Sequence, residues 1–388
     1  MKGLSKNVVF LGIVSGLTDI SSEMLYPVVP IFLTSVLHAP MTVVGFIEGA
    51  AEATASLLKM AGGWWSDRVS KRKPFVVFGY GLSALSKPIL ALALTWHWVL
   101  FSRFLDRVGK GVRTSARDAL LSSSAGQEHW GLAFGFHRAM DTAGAALGPL
   151  IAVFLLSVLH WGYRAVFVGA FVPAALGVLV LALFVREKSV GIPRPIPGMN
   201  LSLNQLEGLS SNFKRFTLFY GIFALGNSSD VFLLMKAKQI GFSTTHMILA
   251  YVGYNIVYAL CATPAGWISD RLGRIRTLVF GLLVFAVVYL GFAVTFSKAA
   301  LWVLFAVYGF YGAFTEGVAK ASIADLSGSQ NRATAMGIFQ GTMGILAFFA
   351  SVLAGWLWTH VSSSVPFFVG SACAGLSCIF LTVWNRGK

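Results

Sequence analysis

Apolar runs of about twenty residues, separated by short polar interruptions, recur along all 388 residues of the chain. A run of that length is what an α-helix needs to cross ~30 Å of hydrocarbon. Twelve are predicted, over about 8–36, 42–63, 75–95, 98–121, 131–157, 164–185, 215–238, 245–266, 277–296, 300–325, 332–357 and 364–385. With 56% hydrophobic and only 12% charged residues, the chain is unlike a soluble protein, where about 25% of residues are charged. Its mean hydropathy of +0.74 agrees. The pattern predicts an all-α membrane protein with twelve transmembrane helices.

The polar positions divide the chain in two. The longest interruption holds Pro193, Pro195 and Pro197 in alternation, which no helix can continue through. We read an N-terminal six-helix bundle over 1–188, a cytoplasmic linker over 189–214 and a C-terminal six-helix bundle over 215–388. The halves repeat one another. Gly63-Trp64-Trp65-Ser66-Asp67-Arg68 returns 203 positions later as Gly266-Trp267-Ile268-Ser269-Asp270-Arg271, each copy a turn between two apolar runs. Spans one and seven each place a carboxylate after a Ser-Ser pair, in Asp19-Ile20-Ser21-Ser22-Glu23 and Gly226-Asn227-Ser228-Ser229-Asp230. Duplicated helical halves are how secondary transporters build a central site that can face either side.

A net charge of +15 raises the question of nucleic acid, but outside the spans the basic residues fall at every second loop or at a terminus. Lys2, Lys6, Arg68 to Lys73, Arg113, Arg117, Arg186 to Arg215, Arg271 to Arg276, Arg332, Arg386 and Lys388 all do so. The intervening loops hold only Arg164, Lys298, and Lys236 with Lys238 at a helix end. That asymmetry is a topology signal. It predicts both termini in the cytoplasm of a multi-pass inner-membrane protein, with no nucleic-acid partner. The eleven tryptophans fall at or near predicted helix ends, as interfacial rings do. Cys261, Cys373 and Cys378 lie inside apolar spans without ligand spacing, so no metal or disulfide framework is expected.

Twelve spans, a central loop and Gly-x-x-x-Asp-Arg turns that continue into Arg/Lys residues after spans two and eight resemble the major facilitator superfamily. The first turn matches that signature except at Ser70, where glycine is usual. Gly144-Ala145-Ala146-Leu147-Gly148-Pro149 in span five is similar to the Gly-x-x-x-Gly-Pro motif of the drug/proton antiporter branch. Arg103, Asp106 and Gly109 resemble the span-four motif of antiporters, with Arg107 standing where that motif has glycine. The resemblance implies two pseudo-twofold-related bundles that work by alternating access. It also implies a cytoplasmic gate at Gly63, Asp67, Arg68 and Lys71, repeated at Asp270 and Arg271. Gly144, Gly148 and Pro149 would provide a tight, bent helix contact.

Charges inside the membrane each require a reason, because one at mid-bilayer costs at least ~2.5 kcal/mol. Arg103, Asp106, Arg107, Lys110, Arg113 and Arg117 fall within about a third of the circumference of span four. Such a stripe must face a cavity or carboxylates. Arg138 and Asp141 in span five and Glu316 and Lys320 in span ten are further candidates, either lining the cavity or pairing within their own helices. His137 is equally readable as a packing residue or a proton relay. A proton carrier needs a carboxylate poised for loading and release. Asp19 and Glu23 have no basic neighbour on their own helix, so we assign them proton coupling, with Asp230 as the counterpart in the second half. Asp106 and Asp141, crowded by bases, are expected to form salt bridges.

No phosphate-cradling loop and no nucleophile–base set is present in the sequence, so neither ATP, a cofactor nor an enzymatic reaction is expected. The expected function is proton-coupled efflux of a small organic molecule by a monomer. The alternative is import or exchange of an anionic metabolite held by Arg103, Arg107 and Lys110.

Overall fold

A computed structural model describes residues 5–66, 72–126, 129–187 and 209–386, with the side chains of 60–66 and 328–333 excepted. Among these residues the chain forms fourteen helices. In the first half they are α1 (Lys6–Leu25), α2 (Val29–Ser35), α3 (Met41–Ser66), α4 (Lys73–Ala91), α5 (Trp96–Ser123), α6 (Trp130–Ser157) and α7 (Tyr163–Phe184). In the second they are α8 (Ser211–Gly226), α9 (Val231–Gln239), α10 (Thr244–Leu272), α11 (Arg274–Val294), α12 (Lys298–Leu326), α13 (Gly328–His360) and α14 (Val365–Arg386).

Eleven stretches among the described residues are long and apolar enough to cross a membrane. The twelfth span is α5, which has the length but carries the charged stripe. Twelve spans come from fourteen helices because spans one and seven are each broken. The first break follows Leu25, where Pro27 and Pro30 withhold backbone donors and disfavour helix in the residue before each. The second lies at Asn227-Ser228-Ser229, whose short polar side chains compete for the backbone. Helix starts are fixed locally. Ser5, Ser210, Ser243 and Ser297 each accept a hydrogen bond from the backbone N–H three residues on.

Two compact units divide the chain, one from Met1–His38 with Thr54–Met199 and the other from Ala39–Ala53 with Asn200–Lys388. In the first, Val8, Leu11 and Val14 of α1 pack with Val76 and Tyr80 of α4, Leu120 and Leu121 of α5, Ala133 of α6 and Leu181 of α7. The core of the second is aromatic, with Phe223, Phe285, Tyr289, Tyr308, Tyr311 and Phe367 in mutual ring contact. In this unit the first turns of α3 lie against α13, where the Thr42 N–H donates to Thr359 Oγ1 at 3.1 Å. Leu218, Leu260, Val287 and Val303 stand exposed on the outside. In hydrocarbon such a surface costs nothing, while every backbone polar group must be satisfied internally, as the helices do.

The duplicated turn is corrected in one respect. Gly266 to Leu272 is helical, forming the last two turns of α10, and the chain turns only at Gly273, whose φ is 95°. A left-handed conformation of this kind is cheap only for glycine. The matching position of the first copy is Ser70, which lies outside the described residues together with Asp67, Arg68 and Lys71. Gly63 falls within α3 rather than in a turn.

Candidate functional site

In the N-terminal unit the site is built on a seam between α1 and α6. Gly144 and Gly148 lie one turn apart on α6 and face the carboxylate-bearing turns of α1. A Cβ on Gly144 would lie 2.7 Å from the Gly16 carbonyl oxygen and 2.8 Å from Asp19 Cβ. One on Gly148 would lie 2.6 Å from the Ile20 carbonyl oxygen and 2.9 Å from Glu23 Cβ. The Gly-x-x-x-Gly-Pro motif therefore fixes where Asp19 and Glu23 stand, and Pro149 is buried immediately beyond.

The span-four stripe faces inward. Arg103, Asp106 and Arg113 are buried, and Arg107, Lys110 and Arg117 are half-buried. Asp19 and Glu23 share a cavity with five bases (Lys87, Arg103, Arg107, Lys110 and Arg113) and one further carboxylate, Asp106. At about 40 Å³ it has room, in this conformation, for water and not for an organic molecule. Arg113 is oriented by Ser83 Oγ, which accepts from its Nη1 at 2.8 Å, and by the Tyr80 ring 4.2 Å beneath its guanidinium. Arg117 pairs with Asp118 at 2.8 Å.

Lys87 was not singled out by sequence reasoning. Its Nζ donates to Asp106 Oδ1 at 2.7 Å, and its side chain is 2% exposed. The α4–α5 hairpin brings the two together, and Ser102 Oγ donates to the Ser86 carbonyl at 2.7 Å alongside. Arg107 lies farther from the same carboxylate, at 4.0 Å. A lysine deep in an otherwise apolar run was the available signal, since a buried cation demands a partner.

On α6, Asp141 pairs with His137, with Nδ1 and Oδ2 3.4 Å apart. Arg138 is exposed and, among the described residues, makes no ion pair with Asp141. Three and four residues are equivalent separations on a helix surface; burial of the His137 face selects between them.

In the C-terminal unit Asp230 begins α9 at the break in span seven, and its Oδ1 accepts from the Tyr308 hydroxyl at 2.7 Å. Asn227 Nδ2 donates to the Tyr311 hydroxyl at 3.1 Å. Glu316 accepts from the Tyr258 hydroxyl at 2.9 Å, while Lys320 stands exposed and forms no ion pair with it among the described residues. Asp270 pairs with Arg274, whose Nε also reaches Asp325 Oδ2 at 3.2 Å. The Arg271 guanidinium stacks 3.7 Å over the Trp267 ring. The second copy of the turn is thus tied by charge to the helices that follow it.

The chain matches the family model described as Major Facilitator Superfamily over residues 11–243 and 216–387, and it belongs to that family. It is accordingly a multi-pass membrane transporter of small molecules and not an enzyme. It is 36% identical to an uncharacterized MFS-type transporter of Methanocaldococcus jannaschii, over 97% of this chain and 94% of that one. A shorter match, 34% identity over 142 residues, relates 35% of the chain to 35% of the tetracycline resistance protein, class C, of Escherichia coli. Among solved structures, a peptide transporter POT superposes with a TM-score of 0.80 at 15% identity, covering 98% of this chain and 94% of that one. Likeness at that identity concerns the fold.

Proposed function

We propose that the protein carries a small organic anion together with protons by alternating access. The observation that supports this reading is the charge inventory of the N-terminal cavity, five bases against three carboxylates. A chamber with more bases than carboxylates draws in an anion, which enters once alternating access widens it. Arginine forks suit carboxylate or phosphate groups. Asp19 and Glu23 supply the proton sites, and Asp230 is their counterpart in the second half. Protonating either N-terminal carboxylate removes a competitor for the bases, so proton and anion bind cooperatively. The proton gradient then drives uptake or exchange.

A second reading, proton-coupled efflux of a small organic molecule, is favoured by the Gly144 to Pro149 motif. The partial match to a tetracycline resistance protein also supports it. Substrate charge separates the two. Thermal unfolding of the purified protein is expected to be delayed by benzoate, succinate or inorganic phosphate, and not by tetraphenylphosphonium. Arg103→Gln or Arg107→Gln is expected to weaken the responding anion by about 30-fold or more, as loss of a buried charged partner does. Stabilisation by the cation alone would favour efflux. In membrane vesicles, uptake of the responding compound is expected to collapse with a protonophore and in Asp19→Asn or Glu23→Gln. Unchanged uptake in both variants would remove the coupling assignment.

A further inference from the structure

The α6 pair of His137 and Asp141 is a buried polar group that the proposed chemistry leaves unused. His137 is 5% exposed. Its Nε2 and the Asp141 Oδ1 are both buried without a hydrogen-bond partner among the described residues. Each such atom costs about 1–3 kcal/mol, and two on adjacent turns of one helix are not accounted for by packing.

Their position gives them a use. Asp141 lies one turn before Gly144, the residue in contact with Asp19 Cβ. The two carboxylates therefore approach across the α1–α6 seam and interact electrostatically. His137 is a further turn toward the start of α6, about 10 Å along the axis from Trp130. Among the described residues, Asp19 and Glu23 of α1 and Arg117 of α5 face the pair, the Ser15 hydroxyl of α1 bonds Asp141, and Lys110 and Arg113 of α5 act on Asp19. On α7 the ionisable side chains are Tyr163 and Arg164, both in its first turn, at the opposite end of the bundle. Arg138 is exposed.

We propose that His137 and Asp141 form a relay passing protons between Asp19 and the end of the N-terminal unit where α6 begins. The Asp19 carboxylic acid gives its proton to the Asp141 carboxylate. Asp141 passes it to the unprotonated Nδ1 of the imidazole, and the ring releases its Nε2 proton once alternating access brings water to that atom. Only O–H and N–H bonds are made and broken, and reversal loads Asp19. The inference rests on the reading of Asp19 as a proton carrier.

Histidine NMR tests it without a substrate. Full-length protein labelled at its seven histidines is placed in lipid nanodiscs, and His137→Gln identifies the His137 signal. At one fixed pH its Nδ1 and Nε2 shifts, which report where the ring protons sit, are expected to change in Asp19→Asn and again in Asp141→Asn, because each removes a charge coupled to the ring. Asp141→Glu should restore the wild-type spectrum. A His137 spectrum indifferent to Asp19→Asn overturns the relay. The vesicle assay on Asp19→Asn and Glu23→Gln judges the coupling assignment independently, so the two failures are distinguishable.

Discussion

Replacing Lys87 by methionine is expected to destabilise the protein by about 3–5 kcal/mol, the cost of leaving a buried carboxylate without its partner. The pair is deep, with Lys87 2% and Asp106 8% exposed, and the separation is 2.7 Å. Arg107, at 4.0 Å from the other carboxylate oxygen, compensates only in part. The double variant Lys87→Met, Asp106→Leu should recover most of the loss, because an apolar pair of similar volume removes both desolvation costs. Unfolding by denaturant in detergent measures each step. Wild-type stability in Lys87→Met alone would show that the ion pair does not hold α4 to α5.

Adding one methyl group at Gly148 is expected to reduce transport on the order of 10²-fold, the scale set by an ångström of misplacement at reacting groups. The new Cβ would stand 2.6 Å from the Ile20 carbonyl oxygen, which is backbone and cannot step aside alone. α1 must move, and Glu23 and Asp19 move with it. Overpacking of this kind also costs about 1–3 kcal/mol. Gly135→Ala on the same helix is the control, since a Cβ there meets nothing within 4 Å. That variant should transport normally and be slightly more stable, because alanine favours helix over glycine. Equal loss in both variants would mean that α6 responds to alanine generally and not through the seam.

These two expectations draw on different layers of information. The Gly144 to Pro149 motif was legible in the sequence as a close helix contact, but its partner was not. Periodicity tells which face of α6 is small; only the folded unit shows that the backbone carrying Asp19 and Glu23 lies against it. Lys87 and Asp106 are separated by 19 positions and a turn. Each was visible as an intramembrane charge demanding compensation, yet no local rule pairs residues on different helices. For Asp141, Arg138 and His137 were both within helical reach, and burial of the His137 face decided between them. The i, i+4 spacing of Glu316 and Lys320 suggested an ion pair, and the Tyr258 hydroxyl takes that place instead.

The sequence by itself determined the twelve spans, the duplication and the direction in which the span-four charges face. Each follows from one-dimensional quantities: run length against bilayer thickness, self-similarity at a fixed offset, and angular position at 100° per residue. Tertiary structure alone decided the union of Asp19 and Glu23 with five bases in one cavity, and the partners of Asp106, Asp141 and Asp230. The physical reason is that charge compensation in a low-dielectric interior is a matter of distances between helices, and those distances are set by packing.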